Sequence, residues 1–289
     1  MNQELVCWLK NEIKKRYGNV KRARGIYLYT EKSVRLTDCF LDGGRGILGH
    51  GGGKAKTAFK DCFERGANGF YDSGLLPAFE KSVKKLLPAE YTEIRLYSEK
   101  TAAMLGGTSV SLDGASEKAN PVLWRPWLDF AGKITEQPTG YPKIEVVYNV
   151  AGDFPAIVKI VPPFTYATDI SVYAFSKACG EEMLQNLPKN DVVPSPLLAA
   201  YTRGFYDLLN SFSLFTENHF KANSKALEPF FTRNQCYLFP KIPETQYKDF
   251  VLKCLDAGIV ISPDYNVPSI IPWRANPGDI KKISNIFGE

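Results

Sequence analysis

The chain has 289 residues, 44% hydrophobic and 23% charged, with a formal net charge of +5. That is globular composition, enough for one large or two modest domains. No Lys/Arg run is long enough for a nucleic-acid stripe, and no stretch approaches the roughly 18 apolar residues of a membrane span. Neither nucleic acid nor a membrane is therefore expected as a partner.

Residues 3–17 carry Leu5, Val6, Leu9 and Ile13 at helical spacing. Charges appear there too early for a signal peptide's apolar core. Six cysteines (Cys7, Cys39, Cys62, Cys179, Cys236, Cys254) are scattered, none at C-x-x-C spacing. This pattern fits reduced thiols in a cytoplasmic protein. With His50 and His219 as its two histidines, the chain is not expected to hold a metal.

RARGIYLYTEKSVRLTDC reads as two short strands around Glu31-Lys32-Ser33. The glycine-dense DGGRGILGHGGGK follows; it lacks the order G-x-x-x-x-G-K-[ST] of a nucleotide loop. Residues 54–65 read as a helix with Ala55, Ala58, Phe59 and Phe63 on one side. Residues 77–87 read as an amphipathic helix opened by Pro77. EIRLYSEKTAAML reads as strand, polar turn and helix start. PVLWRPWLDF, IEVVYNV, AIVKIVP and ISVYAFS read as strands by length and β-branched content. Several are apolar at consecutive positions, as strands buried on both faces are.

From Pro194 a long, once-interrupted helix is expected, then strand NQCYLFPKI, helix TQYKDFVLKCLDAG, strands IVISPDY and SIIPWRA, and helix GDIKKISNIF. Gly258 is the expected helix C-cap. The expected domains are 1–50 (helix and hairpin), 51–195 (large α/β) and 196–289 (C-terminal α/β).

SVYAFSKACG ends a buried-looking strand in Ser176-Lys177. A lysine there has two readings. It is an exposed residue capping a strand, or an amine whose pKa burial lowers so that it forms a Schiff base. The Ser176 hydroxyl could then hold a phosphate.

SVYAFSKACG resembles the lysine motif of the fold-type-I pyridoxal-phosphate enzymes, the aminotransferase superfamily. RARGIYLYTEKSVRLTDCFLDGGRGILGHGGGKAKTAF and PAFEKSVKKLLPAEYTEIRLYSEKTAAML resemble the opening segments of its class III branch, the ornithine and glutamate-semialdehyde type. The strand with Trp273-Arg274 resembles that of its C-terminal domain. Together these stretches cover about two thirds of the chain. The resemblance implies an α/β fold: a pyridoxal-phosphate transferase-like large domain with a trimmed central sheet, and a small C-terminal α/β domain. It implies Lys177 as Schiff-base lysine and general acid/base, and Ser98, Lys100 and Thr101 as the phosphate turn. Trp124 or Trp127 would stack on the cofactor, and Arg274 would grip a substrate carboxylate. Asp153, with Asn149 or Asp169 as alternatives, would face the pyridine nitrogen. A homodimer acting on an amino acid or amino-carbonyl compound is implied. Members often have a histidine where His50 stands, near a subunit interface, and a structural role is expected for it.

The chain departs from that pattern. Glu99 stands where the phosphate turn has glycine, and Glu181-Glu182 where members often carry an arginine for the phosphate. The Asp-Glu pair that keeps the pyridine nitrogen protonated is absent, and with it the group that makes the ring an electron sink. Two functions therefore follow: a pyridoxal-phosphate-dependent aminotransferase-like enzyme, or a cofactor-free descendant of that fold acting as a binding or interaction protein.

Overall fold

The computed structural model describes residues 3–51, 53–67, 74–87, 89–107, 109–112, 115–118, 122–124, 156–211, 220, 225–234, 236–272 and 275–283. These fall into two compact units, residues 3–51 with 220–283, and residues 53–124 with 156–211.

The first unit opens with helix α1 (Gln3–Tyr17), which buries Leu9 and Ile13 one turn apart. Glu4 in its first turn and Lys14, Lys15 and Arg16 in its last complement the helix dipole. Gly18 ends it at φ 76°, donating its amide to the Lys14 carbonyl at 2.9 Å. A Cβ there would lie 2.7 Å from Glu31 Oε2, so the turn requires glycine. Strands β1 (Val20–Arg24), β2 (Tyr27–Thr30) and β3 (Arg35–Asp38) follow as an antiparallel meander. It is the expected hairpin plus one strand.

The second unit begins with helices α2 (Gly53–Glu64) and α3 (Leu76–Lys84, Pro77 in its first turn). Strand β4 (Tyr91–Tyr97), short helix α4 (Glu99–Ala103) and hairpin strands β5 (Ser109–Leu112) and β6 (Ala115–Lys118) come next. Strands β7 (Val122–Trp124), β8 (Ile157–Ile160) and β9 (Ser171–Ser176) lead to helices α5 (Glu181–Gln185) and α6 (Ser195–Ser211). IEVVYNV lies outside the described residues.

The main sheet has the order β4-β9-β8-β7. β9 is antiparallel to both neighbours, and β7 is parallel to β8, so β4, β8 and β7 all point one way. All six residues of β9 are buried, as its unbroken apolar run requires. On one face Ile94, Leu96, Val158, Ile160, Val172 and Ala174 pack on Phe79 and Val83 of α3 and on Leu197, Tyr201 and Phe205 of α6. On the other, Tyr97, Ile157, Tyr173 and Phe175 pack with Leu105 and Cys179, under Met183 and Leu184 of α5.

The chain then returns to the first unit through β10 (Phe231–Asn234), β11 (Tyr237–Pro240), helix α7 (Glu244–Asp256), β12 (Ile259–Val260), β13 (Ser269–Ile270) and helix α8 (Pro277–Lys281). β12 runs parallel to β3 and completes the sheet β1-β2-β3-β12, while β10-β11-β13 form another. α7 buries Tyr247, Phe250, Val251, Cys254 and Leu255, the i, i+3, i+4, i+7, i+8 set of one helix face. Gly258, at φ 80°, closes it by donating its amide to the Leu255 carbonyl in a hydrogen bond of 2.8 Å, as the C-cap reading expects. β10 arises from Phe231, which the sequence reads as the tail of the long helix.

Candidate functional site

Open α/β sheets take ligands at the carboxyl ends of their parallel strands. Here those ends belong to β4, β8 and β7, so Ser98, Val161 and the backbone of Trp124 mark one edge of the main sheet. Ser98 caps α4: its Oγ accepts from the Thr101 amide at 3.3 Å and lies 3.2 Å from Thr101 Oγ1.

A second segment reaches the same turn. After α5, residues Pro188–Asp191 run along the outer edge of β4. The Tyr97 hydroxyl donates to the Pro188 carbonyl at 2.7 Å, and the Leu96 amide to Asn190 Oδ1 at 2.8 Å. The Asp191 amide donates to the Leu96 carbonyl at 2.9 Å. The Ser98 amide then donates to Asp191 Oδ2 at 2.7 Å. That amide bond, followed by the Thr101 and Ser98 hydroxyls, holds the Asp191 carboxyl below the usual carboxylate range, and the charge of Lys100 adds to it.

The β8–β9 connection supplies aromatic surface. Phe164 stacks on Phe59 of α2 with centroids 6.0 Å apart and on Tyr166 at 6.4 Å. Phe59 and Tyr166 lie 5.6 Å apart, and Tyr166 is 42% exposed. The connection, VPPFTYATDI, contains no lysine. Asp169 is exposed within it.

Lys177 lies elsewhere. It opens a 3-10 turn, Lys177–Cys179, at the end of β9, where its amide donates to the Glu90 carbonyl at 3.0 Å. In the antiparallel register Ser176 faces Tyr91 and Ser171 faces Tyr97. Lys177 therefore sits beside the start of β4 and Ser98 beyond its end. Eight steps of extended chain, from Glu90 to Ser98, separate them by about 26 Å. The faces between are filled by the two core clusters. The side chain of Lys177 is exposed, which is the strand-capping reading. Ser176 is 2% exposed, and its Oγ has no hydrogen-bond partner among the described residues. It faces the core, where no phosphate reaches it.

The departures from the family pattern have local roles. Glu181 and Glu182 occupy the first turn of α5, where the helix dipole favours carboxylates. Burial, then the charge of Glu99, pushes the Tyr173 phenol up to about 12. Trp127, Asn149, Asp153, His219 and Arg274, together with the Trp124 side chain, lie outside the described residues.

In the first unit His50 has a partner that sequence spacing does not reveal. Its Nε2 lies 2.7 Å from Asp38 Oδ2, with both side chains at most 9% exposed. The other Asp38 oxygen accepts the Phe40 and Leu41 amides at 2.9 Å each. It thereby holds the turn in which Leu41 and Asp42 adopt φ 50° and 52°. Burial disfavours the charged imidazole, but the Asp38 bond and the charges of Asp38 and Asp42 together outweigh it and raise the His50 pKa. The pair braces the turn that follows β3.

Pyridoxal phosphate requires its phosphate cradle and its lysine within one molecule's length. Ser98 and Thr101 lie at one end of the sheet and Lys177 at the other, and the Ser98 amide already holds a carboxylate. The described residues do not fit the group.

No family model matches the chain. An uncharacterized protein of Treponema pallidum is 28% identical over 280 residues, covering 90% of this chain and 91% of that protein. Among solved structures, the acetylornithine aminotransferase of Elizabethkingia anophelis superposes with a TM-score of 0.60 at 15% identity, covering 96% of this chain and 97% of that one. The ornithine aminotransferase of Plasmodium yoelii gives 0.58 at 14% identity, covering 98% and 97%. The likeness is one of architecture: the chain has the α/β fold of the ornithine and acetylornithine aminotransferases.

Proposed function

We propose that the chain is a cofactor-free descendant of the aminotransferase fold that acts as a binding protein. Its binding surface is the carboxyl edge of the main sheet, where Phe59, Phe164 and Tyr166 gather. One observation carries this reading: Lys177 and the Ser98 turn occupy opposite ends of β4 and β9. A cofactor tethered at one end has no anchor at the other. Acid/base chemistry at a substrate α-carbon would need a lysine poised over a bound ring, and the β8–β9 connection offers none.

The test mixes the purified chain with pyridoxal phosphate, treats one portion with borohydride, and dialyses it. The expected result is no retained absorbance band and no reduced adduct on Lys177. A band that persists in the wild type and disappears in Lys177→Ala would refute the reading and restore the enzyme.

A further inference from the structure

We infer that the chain has replaced the cofactor phosphate with its own carboxylate: Asp191 is the resident anion of the Ser98–Thr101 turn and closes it to phosphorylated ligands. This deepens the cofactor-free reading and rests on it for the meaning of the turn.

The turn points the Ser98 amide outward at the end of β4, and the Ser98 and Thr101 hydroxyls stand beside it. A phosphate oxygen would need that amide. Asp191 Oδ2 takes it at 2.7 Å, the length of a charge-assisted bond. The carboxylate does not arrive by chance rotation of a long side chain. Aspartate is short, and its backbone is held: the Asp191 amide bonds the Leu96 carbonyl at 2.9 Å, and the preceding Asn190 bonds the Leu96 amide at 2.8 Å. The Tyr97 hydroxyl fixes Pro188, two residues before Asn190, at 2.7 Å. Three anchors along the edge of β4, at Pro188, Asn190 and Asp191, thus deliver one carboxylate to one amide.

Electrostatics enforces the exclusion. A phosphate entering beside Asp191 would meet a like charge a few ångströms away, which raises its free energy in the site. Glu99, in the first turn of α4, adds a second negative charge next to the turn. The glutamate that departs from the family pattern and the aspartate that fills the turn act in the same direction. Lys100, which the resemblance assigns to the phosphate, lends its charge to Asp191 instead.

The experiment uses the full-length ¹⁵N-labelled chain and follows the Ser98 and Thr101 amides while inorganic phosphate, pyridoxal phosphate and unphosphorylated pyridoxal are added separately. In the wild type neither amide should move with any of the three; a saturable shift with phosphate overturns the inference. In Asp191→Ala, shown folded by circular dichroism, the Ser98 amide should shift with inorganic phosphate and the affinity should rise at least about tenfold over wild type. A folded Asp191→Ala with no gain overturns it as well. Should the alanine variant fail to fold, Asp191→Asn keeps an acceptor for Ser98 and removes the charge. It should show a gain in the same direction, and unchanged affinity overturns the inference. A pyridoxal adduct on a lysine with silent Ser98 and Thr101 amides would refute the cofactor-free reading while supporting the assignment of Asp191.

Discussion

Ser176 places a hydroxyl in a core that gives it no partner among the described residues. Leaving water without a new hydrogen bond costs about 1–3 kcal/mol for such a group. The serine is therefore tolerated rather than used. Ser176→Ala should leave stability unchanged or raise it by up to about 1 kcal/mol, read as the midpoint of urea unfolding. A loss above that range would reveal a bond to the hydroxyl and reopen a polar role. At this scale the sequence was a partial guide. It singled out Ser98 and Thr101, and the two share a turn at the carboxyl end of β4. It missed Asp191 and Asp38, because each meets its partner through the fold: Asp191 is 93 positions from Ser98, and no local spacing records that.

Helix α2 shows how an element can be legible while its faces are not. Its span was readable from Ala55, Ala58 and Phe59, but the same pattern placed Phe63 on the inner face. In the structure Phe63 is 57% exposed, and Ala55 and Cys62 are the buried positions. The rotation follows from what packs against α2: a thiol and a methyl fit close to a neighbouring helix, and a ring does not. Phe63→Ser should thus change stability by no more than about 0.5 kcal/mol. Phe79→Ala, on the fully buried face of α3, should cost about 3–5 kcal/mol by opening a cavity. Comparable losses in the two variants, measured by urea unfolding, would contradict the assignment of faces. β9 was the more consequential element. Its buried, uninterrupted run was legible, and so was the lysine at its end. Its direction was not, because strand direction is set by pairing and no residue within SVYAFS encodes it. An antiparallel β9 carries Lys177 away from the Ser98 turn, and the enzyme reading depended on the two meeting.

At the scale of the whole molecule, the first unit is assembled from the two ends of the chain. β3 pairs with β12 through Thr37 and Ile259, and Asp279 of α8 fastens the same region. Its carboxylate, 8% exposed, lies 3.0 Å from an Arg35 nitrogen and 3.1 Å from Lys282 Nζ, and it accepts the Tyr27 hydroxyl at 2.9 Å. Arg35 also stacks over the Tyr27 ring at 4.4 Å. Helix α8 was readable from its sequence, but its anchorage was not: an ion pair across 244 positions leaves no periodic trace. Burial alone would raise the Asp279 pKa, but the Tyr27 and Lys282 bonds and the charge of Arg35 lower it below the ordinary carboxylate value. The sign of the pH dependence follows. A depressed folded-state pKa contributes stability that is complete above the unfolded value of about 3.9 and is lost as pH falls through the folded value. Asp279→Asn keeps the shape and removes the charge. Near neutral pH it should destabilise the chain by about 1.5–3 kcal/mol, the range for hydrogen bonds to a charged group. The difference between wild type and variant should shrink as pH drops below about 3.9 and vanish once Asp279 is protonated in the folded chain. Thermal unfolding of both proteins across that range decides it: a difference independent of pH would mean that the carboxylate's charge does not hold the two ends of the chain together.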